Sequence, residues 1–357
     1  MLNSLEIRNY RNLKHLRIEK LGRVNLVIGK NNTGKSSLLE AVFFFAKKGA
    51  LESFYQILSQ RNEDLNSEYR MDQVDANVKS LSSLFSNYSA QSNEVVEISV
   101  NNHVEEYLNF RLEKIKAYDD LQRKNIETNE FMLVIDFSNH RSYTALLRDP
   151  ISSLKYFPPR ESPDSDSVEL VRSFHGLGFS SNIQYPLLYE SIALTEKEVT
   201  VVEALKIIDS QIDAIAFRTD LKSNQRFPVV RNRTTQRITT LRSMGDGVNR
   251  ILTIIVAMVN CENGFLLIDE FENGLHYSVQ EKLWEVIFEL AEQLNIQVFA
   301  TTHSNDTIQA FTKIANEKQS DGYLIKLRNI NGEIDAVVFN EEELQTAAEA
   351  EYLDLRL

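Results

Sequence analysis

The sequence predicts an α/β fold, and three observations carry that prediction. A short apolar run, Val24 to Ile28, leads through a glycine-rich stretch into a helical pattern from Ser36 to Phe45. From Asp246 the pattern alternates regularly: helix to Asn260, strand Phe265 to Ile268, helix Ser278 to Leu294, strand Gln297 to Ala300, helix Asn305 to Ala315. Strands alternating with helices of this length signal a parallel sheet covered by helices. The chain has 357 residues, 43% apolar and 25% charged. That is the composition of a globular domain large enough to fold without a disulfide or structural metal.

The remaining elements follow in order. Leu5, Ile7 and Tyr10 predict a strand, a turn falls near Arg11-Asn12, and Leu16 and Ile18 predict its return. Residues 60–93 are rich in Ser and Asn and predict a loop-rich insertion. Val95 to Val100 and Phe131 to Phe137 predict strands, with a charged helix between them. Glu161 to Ser167 is a loop by composition. Glu196 to Ile212 predicts a helix, and Phe217 to Leu241 one or two polar strands. A hairpin at Asn331-Gly332 and an acidic helix from Glu341 close the chain. Trp284, Val286, Ile287 and Leu290 are core positions of their helix. Phe43, Phe44 and Phe45 pack the first helix on the sheet, with one of the three facing elsewhere.

Composition excludes several classes. The single cysteine, Cys261, rules out a disulfide framework and a cysteine-based zinc site, and fits a cytoplasmic location. The N-terminus has no apolar signal core. The run from Ile251 to Val259 is far short of the ~20 residues that span a bilayer. With 39 basic and 51 acidic residues the net charge is −12, which argues against coating of DNA or membrane by the whole surface.

The glycine-rich stretch matches G-x-x-x-x-G-K-[ST] in full: Gly29, Lys30, Asn31, Asn32, Thr33, Gly34, Lys35, Ser36, with Ser37 next. A strand precedes it and a helix follows, as a phosphate cradle requires. The glycines let backbone N–H groups turn inward, and the helix N-terminus adds its positive dipole end. Lys35 is placed to reach the β- and γ-phosphates of a nucleotide, and Ser36 to hold Mg2+. Phe265 to Ile268 ends in Asp269 and Glu270. Asp269 is placed to bind Mg2+, directly or through water, and Glu270 as the general base for an attacking water. His303 ends the following strand, where it can hydrogen-bond a γ-phosphate. Ser243-Met244-Gly245-Asp246-Gly247 opens a helix, and Ser243, Gly245 and Gly247 make a second anion-binding N-terminus. Taken alone, Gly-Asp-Gly is also a common turn; if the chain has the usual arrangement, this N-terminus cannot serve the nucleotide held by Lys35 and would cap one held by a second protomer.

In this order the motifs resemble the ABC-type ATPase heads of the group containing the RecF, structural-maintenance-of-chromosomes and overcoming-lysogenization-defect (OLD) ATPases. Gly29–Ser36 matches Walker A, Phe265–Glu270 Walker B and Ser243–Gly247 the signature. Glu272–His276 looks like the D-loop, and His303 like the switch histidine. Ile7 to Leu13 is similar to the group's opening, and Arg11 falls where such heads place a nucleotide-contacting arginine. The signature reads SMGDG rather than LSGGQ, which points away from transporter heads. The Q-loop glutamine has no clear counterpart. Gln184 is available, and Tyr156 to Arg160 could supply the contact or be a proline-fixed strand exit.

The resemblance implies a P-loop NTPase fold, an ABC-type ATPase head with a mixed sheet lobe and an inserted helical/β lobe. Its core would come from 1–50 and 235–357, with a strand lobe at 51–160 and a helical and arm subdomain at 161–234. It implies ATP and Mg2+ as cofactors and hydrolysis of ATP by a homodimer closing on two nucleotides. OLD-type proteins often carry a nuclease domain of the TOPRIM kind, for which the 54 residues after His303 are too few. The implied output is therefore control of a separate nuclease or toxin, as in anti-phage systems such as PARIS. The alternative is a RecF-like DNA-binding ATPase of repair. Residues 218–250 carry eight basic and two acidic side chains. Arg231, Arg233 and Arg237 share one parity, so one strand face could present them to DNA or an acidic partner, or simply to solvent.

Overall fold

Val24 is the start of a strand buried at every residue, the signature of a strand covered on both faces. In the computed structural model the described residues are 1–63, 71–88, 94–101, 106–119, 124–138, 140–146, 171–174, 184–224, 226–318, 321–339 and 343. Tyr156 to Arg160, Glu161 to Ser167 and the acidic segment from Glu341, apart from Glu343, lie outside them.

The elements run β1 (Leu5–Tyr10), β2 (Leu13–Ile18), β3 (Val24–Gly29), α1 (Lys35–Ala46), α2 (Leu51–Gln60), α3 (Met71–Ser82), β4 (Val96–Val100), β5 (Tyr107–Asp119), β6 (Lys124–Phe137), β7 (His140–Leu146) and β8 (Val171–Phe174). They continue α4 (Gln184–Glu190), α5 (Glu196–Ile208), β9 (Ile212–Thr219), β10 (Arg226–Asn232), β11 (Ile238–Thr240), α6 (Asp246–Val259), β12 (Phe265–Ile268), α7 (Tyr277–Gln293), β13 (Gln297–Thr302), α8 (Asn305–Lys318), β14 (Gly322–Ile330) and β15 (Glu333–Phe339).

Three sheets result. The central one has the order β15-β14-β3-β13-β12-β8, parallel except for β15 at one edge. An antiparallel sheet runs β2-β1-β4-β5-β6-β7, and a small one β11-β10-β9. The register of the central sheet matters most. Ile28 lies opposite Thr302, and Ile268 opposite Ala300, so β3, β12 and β13 end at one edge. Ligands of open α/β sheets bind outside the carboxyl ends of the strands.

Helix α1 lies between the central and antiparallel sheets, and eleven of its residues are buried. Phe43, Phe44 and Phe45 are all buried, so none of the three faces away. Phe44 packs on Tyr10, Phe54 and Phe110, and Phe45 on Phe137. On the other side of the central sheet, Trp284 stacks on Phe271 at 4.1 Å within a core that includes Val286, Ile287 and Leu290.

Three further expectations are corrected. The charged helix between Val100 and Phe131 is instead the β5–β6 hairpin. Leu108, Phe110 and Leu112 alternate and are buried, which is a period of two and not 3.6. The polar insertion is partly helical: Leu81 near the end of α3, and Leu84 and Phe85 just beyond it, are buried in the core that holds α1. Arg231, Arg233 and Arg237 do not share a strand face either. β10 ends at Asn232, whose Oδ1 accepts from the N–H groups of Thr234 and Thr235 and turns the chain. Arg231 pairs with Asp213 at 2.7 Å, while Arg233 and Arg237 sit exposed around that turn.

Candidate functional site

The carboxyl edge of the central sheet carries a cavity of about 310 Å3, lined by Asn31, Asn32, Gly34, Lys35, Ser36, Ser37, Asp269, Glu270 and His303 together with Arg11, Asn12, Arg61, Glu63 and Tyr88. Gly34 closes the loop between β3 and α1 with φ of 88°, and a Cβ there would lie 2.5 Å from Leu13 Cδ2. It caps α1 with no side-chain hydrogen bond, and the first turn holds no acid. The N-terminal amides and the dipole of α1 are thus left for an anion. Thr33 Oγ1 donates to the Lys30 carbonyl at 2.8 Å, which folds the loop on itself. Asn12 fastens the loop from above: its Nδ2 donates to Asn32 O at 3.1 Å and its Oδ1 accepts from Ser37 Oγ at 2.9 Å. Gly29, Lys30 and Thr33 shape the loop without lining the cavity.

Lys35 is buried, with Nζ donating at 2.9 Å to both Gly29 O and Lys30 O. Burial lowers its pKa to about 8, against the upward pull of Asp269, Glu272 and Glu270. Ser36 Oγ donates to Asp269 Oδ2 at 2.8 Å. Thr301 Oγ1 donates to Asp269 Oδ1 and accepts from Glu270 N at 2.9 Å, so one threonine of β13 orients both acids. Glu270 holds φ of 49°, a conformation uncommon outside glycine. Its Oε2 accepts from Asn273 Nδ2 at 2.6 Å, and its carbonyl accepts from Arg250 at 3.3 Å. Glu272 clamps the end of β13, accepting from His303 N at 2.8 Å and Thr302 Oγ1 at 2.6 Å. Burial, and then the charge of Lys35, lower the His303 pKa, so the imidazole is neutral at pH 7.

The structure therefore gathers Lys35, Ser36, Asp269, Glu270 and His303 at one cavity. Arg11 lines it too, but its guanidinium is committed, Nε to Glu40 Oε2 at 2.7 Å and Nη1 to Glu63 Oε2 at 3.2 Å. Ser243, Gly245 and Gly247 do not line it. Ser243 Oγ donates to Thr240 O at 2.6 Å, and Gly245, with φ of 110°, caps α6 without a side-chain bond. Gly247 abuts the Glu272–His276 loop, where a Cβ would come within 3.0 Å of Gly274 O. Gln184 opens α4, and its side chain lies outside the description. No site role for Thr301, Asn12, Arg61, Glu63 or Tyr88 is legible in the sequence motifs alone. Only Asn12 and Thr301, flanking motif residues, carried any signal there.

A family model described as "AAA domain, putative AbiEii toxin, Type IV TA system" matches residues 24–308. The "ATP/GTP phosphatase" of Helicobacter pylori is 24% identical over 392 residues, covering 96% of this chain and 100% of that protein. The DNA replication and repair protein RecF of Clostridioides difficile is 42% identical over 45 residues, which is 13% of this chain and 12% of RecF. Among solved structures, the Smc head bound to the C-winged helix domain of ScpA superposes with a TM-score of 0.51 at 13% identity, covering 96% of this chain and 98% of that one. At that identity the likeness establishes a shared fold.

Proposed function

Since the chain belongs to the AbiEii-type AAA-domain family and has the fold of an ABC-type ATPase head, it is an ATPase, and we propose that it works as a switch in which two copies close on two ATP molecules. One observation carries this reading. Lys35, Ser36, Asp269, Glu270 and His303 converge on one cavity, while Ser243, Gly245 and Gly247 of the same chain do not line it. A second copy would supply that uncapped helix start to the γ-phosphate.

The phosphates would take the open amides of α1, and Lys35 would exchange its two carbonyl partners for phosphate oxygens. The cation site fits Mg2+: Ser36 Oγ and Asp269 Oδ2 are two oxygen donors 2.8 Å apart. Mg2+ takes few protein oxygens and completes its shell with water and phosphate. When bound, it neutralises charge on the transferring phosphoryl group. Glu270, fixed by Thr301 and Asn273, would accept the proton of the attacking water. The neutral His303 ring would donate one hydrogen bond to the γ-phosphate.

The output would be a separate nuclease or toxin, a reading supported by the toxin-system wording of the family description. The test is affinity purification of the Glu270→Gln protein from its native host, with mass spectrometry of what co-elutes. A stoichiometric nuclease or toxin is expected. Nucleic acid without a protein partner would instead favour a RecF-like DNA-binding role, for which exposed Arg233 and Arg237 are the surface to examine.

A further inference from the structure

The cavity extends beyond the phosphate loop to Arg61, Glu63 and Tyr88, which come from the segment around α2 and α3 and not from the central sheet. Residues 83–88 are fastened to the β1–β2 turn. Phe85 forms a bridge with Tyr10, Arg11 N donates to Leu84 O at 3.0 Å, and Ser86 Oγ donates to Asn9 Oδ1 at 2.6 Å. Behind this wall the charges balance. Glu40, 3% exposed, accepts from Tyr10, Arg11 and Arg61. Two arginines and two glutamates leave no net charge, so this half of the cavity is not a phosphate site.

It does offer both a donor and an acceptor. Arg11 and Ser83 both donate to Glu63 Oε2, which leaves Oε1 for another donor. Arg61 gives Nε to Glu40, and its terminal nitrogens have no partner among the described residues. Arg11 Nη2 is buried with no hydrogen-bond partner among the described residues. Tyr88 is 77% exposed and held at φ of 53°. That conformation is an outlier for a bulky side chain, and such strain collects at ligand sites. An exposed aromatic ring at the mouth of a polar cavity is a platform for a flat ligand.

We propose that Tyr88, Arg61 and Glu63 form the subsite for a purine base, given the nucleotide reading above, on which this rests. Tyr88 stacks on the base, Arg61 donates to its polar edge and Glu63 accepts from it. Adenine presents an amino donor beside a ring-nitrogen acceptor, and guanine an N–H donor beside a carbonyl acceptor. The pair serves both, so ATP and GTP bind comparably, and pyrimidine triphosphates, with one ring on Tyr88, bind more weakly.

The experiment measures equilibrium binding of ATP, GTP, CTP and inorganic tripolyphosphate, with Mg2+, to the full chain and to its Tyr88→Ala, Tyr88→Phe and Lys35→Ala variants. Tyr88→Ala is expected to weaken ATP and GTP about 10-fold and to leave tripolyphosphate unchanged. Tyr88→Phe is expected to bind as the wild type does. The subsite is overturned if Tyr88→Ala leaves ATP binding intact, or weakens tripolyphosphate equally. If Lys35→Ala binds ATP and tripolyphosphate as the wild type does, the nucleotide reading fails and the subsite with it.

Discussion

In the proposed site Lys35 is the residue on which binding should depend, because it is a buried cation lining the cavity. Lys35→Ala is expected to weaken ATP on the order of 100-fold, about 3 kcal/mol, the upper end for a charged hydrogen bond, as read by calorimetry. Its titration gives a pH test. Burial holds its pKa near 8 in the free protein, below the usual 10.5, so the side chain is charged at pH 7 and loses its proton above about 8. Bound phosphate favours the charged form. ATP affinity should therefore fall from pH 7 to 9.5, by at most ~10-fold per pH unit, with proton uptake on binding above pH 8. In the proposed mechanism Glu270 acts in the chemical step. Glu270→Gln should keep ATP affinity while phosphate release slows roughly 100- to 10,000-fold. A wild-type turnover rate in that variant would remove Glu270 as the base. At this scale the sequence was most informative where the chemistry is local: eight consecutive residues make the phosphate loop. Thr301 and Glu272 act across strands, and their roles depend on the register of β12 and β13, which no local pattern encodes.

The elements that the sequence made legible are those with clean periodicity. β3, β12 and β13 are short apolar runs, and α6, α7 and α8 follow amphipathic or apolar helical patterns of ordinary length. Residues 113–119 of the β5–β6 hairpin read as helical because they mix charge with Ile115 and Tyr118 in a way that helices also show. Cross-strand pairing with β6, through a bulge between Lys114 and Lys116, decides the matter. The arginine face ends at Asn232, where a side-chain turn stops the strand that shared parity alone would extend. Phe110 is the keystone of the layer over α1, fully buried and in ring contact with Tyr10, Phe44, Phe54 and Phe85. Phe110→Ala should cost about 3–5 kcal/mol in chemical denaturation.

For the whole molecule, the central claim is that one chain holds two halves of two different sites. The phosphate cavity and the Ser243–Gly247 helix start are joined within the chain by α6 and the Glu272–His276 loop, where Gly247 meets Gly274. No helix among the described residues is long and apolar enough to cross a membrane. The most direct measurement is the mass of the Glu270→Gln protein by light scattering, with and without ATP and Mg2+, and with Lys35→Ala as the binding-deficient control. The account predicts twice the 41.1 kDa of one chain with ATP, and a single chain without it or in the control. A mass that stays at 41.1 kDa while ATP is bound would contradict it.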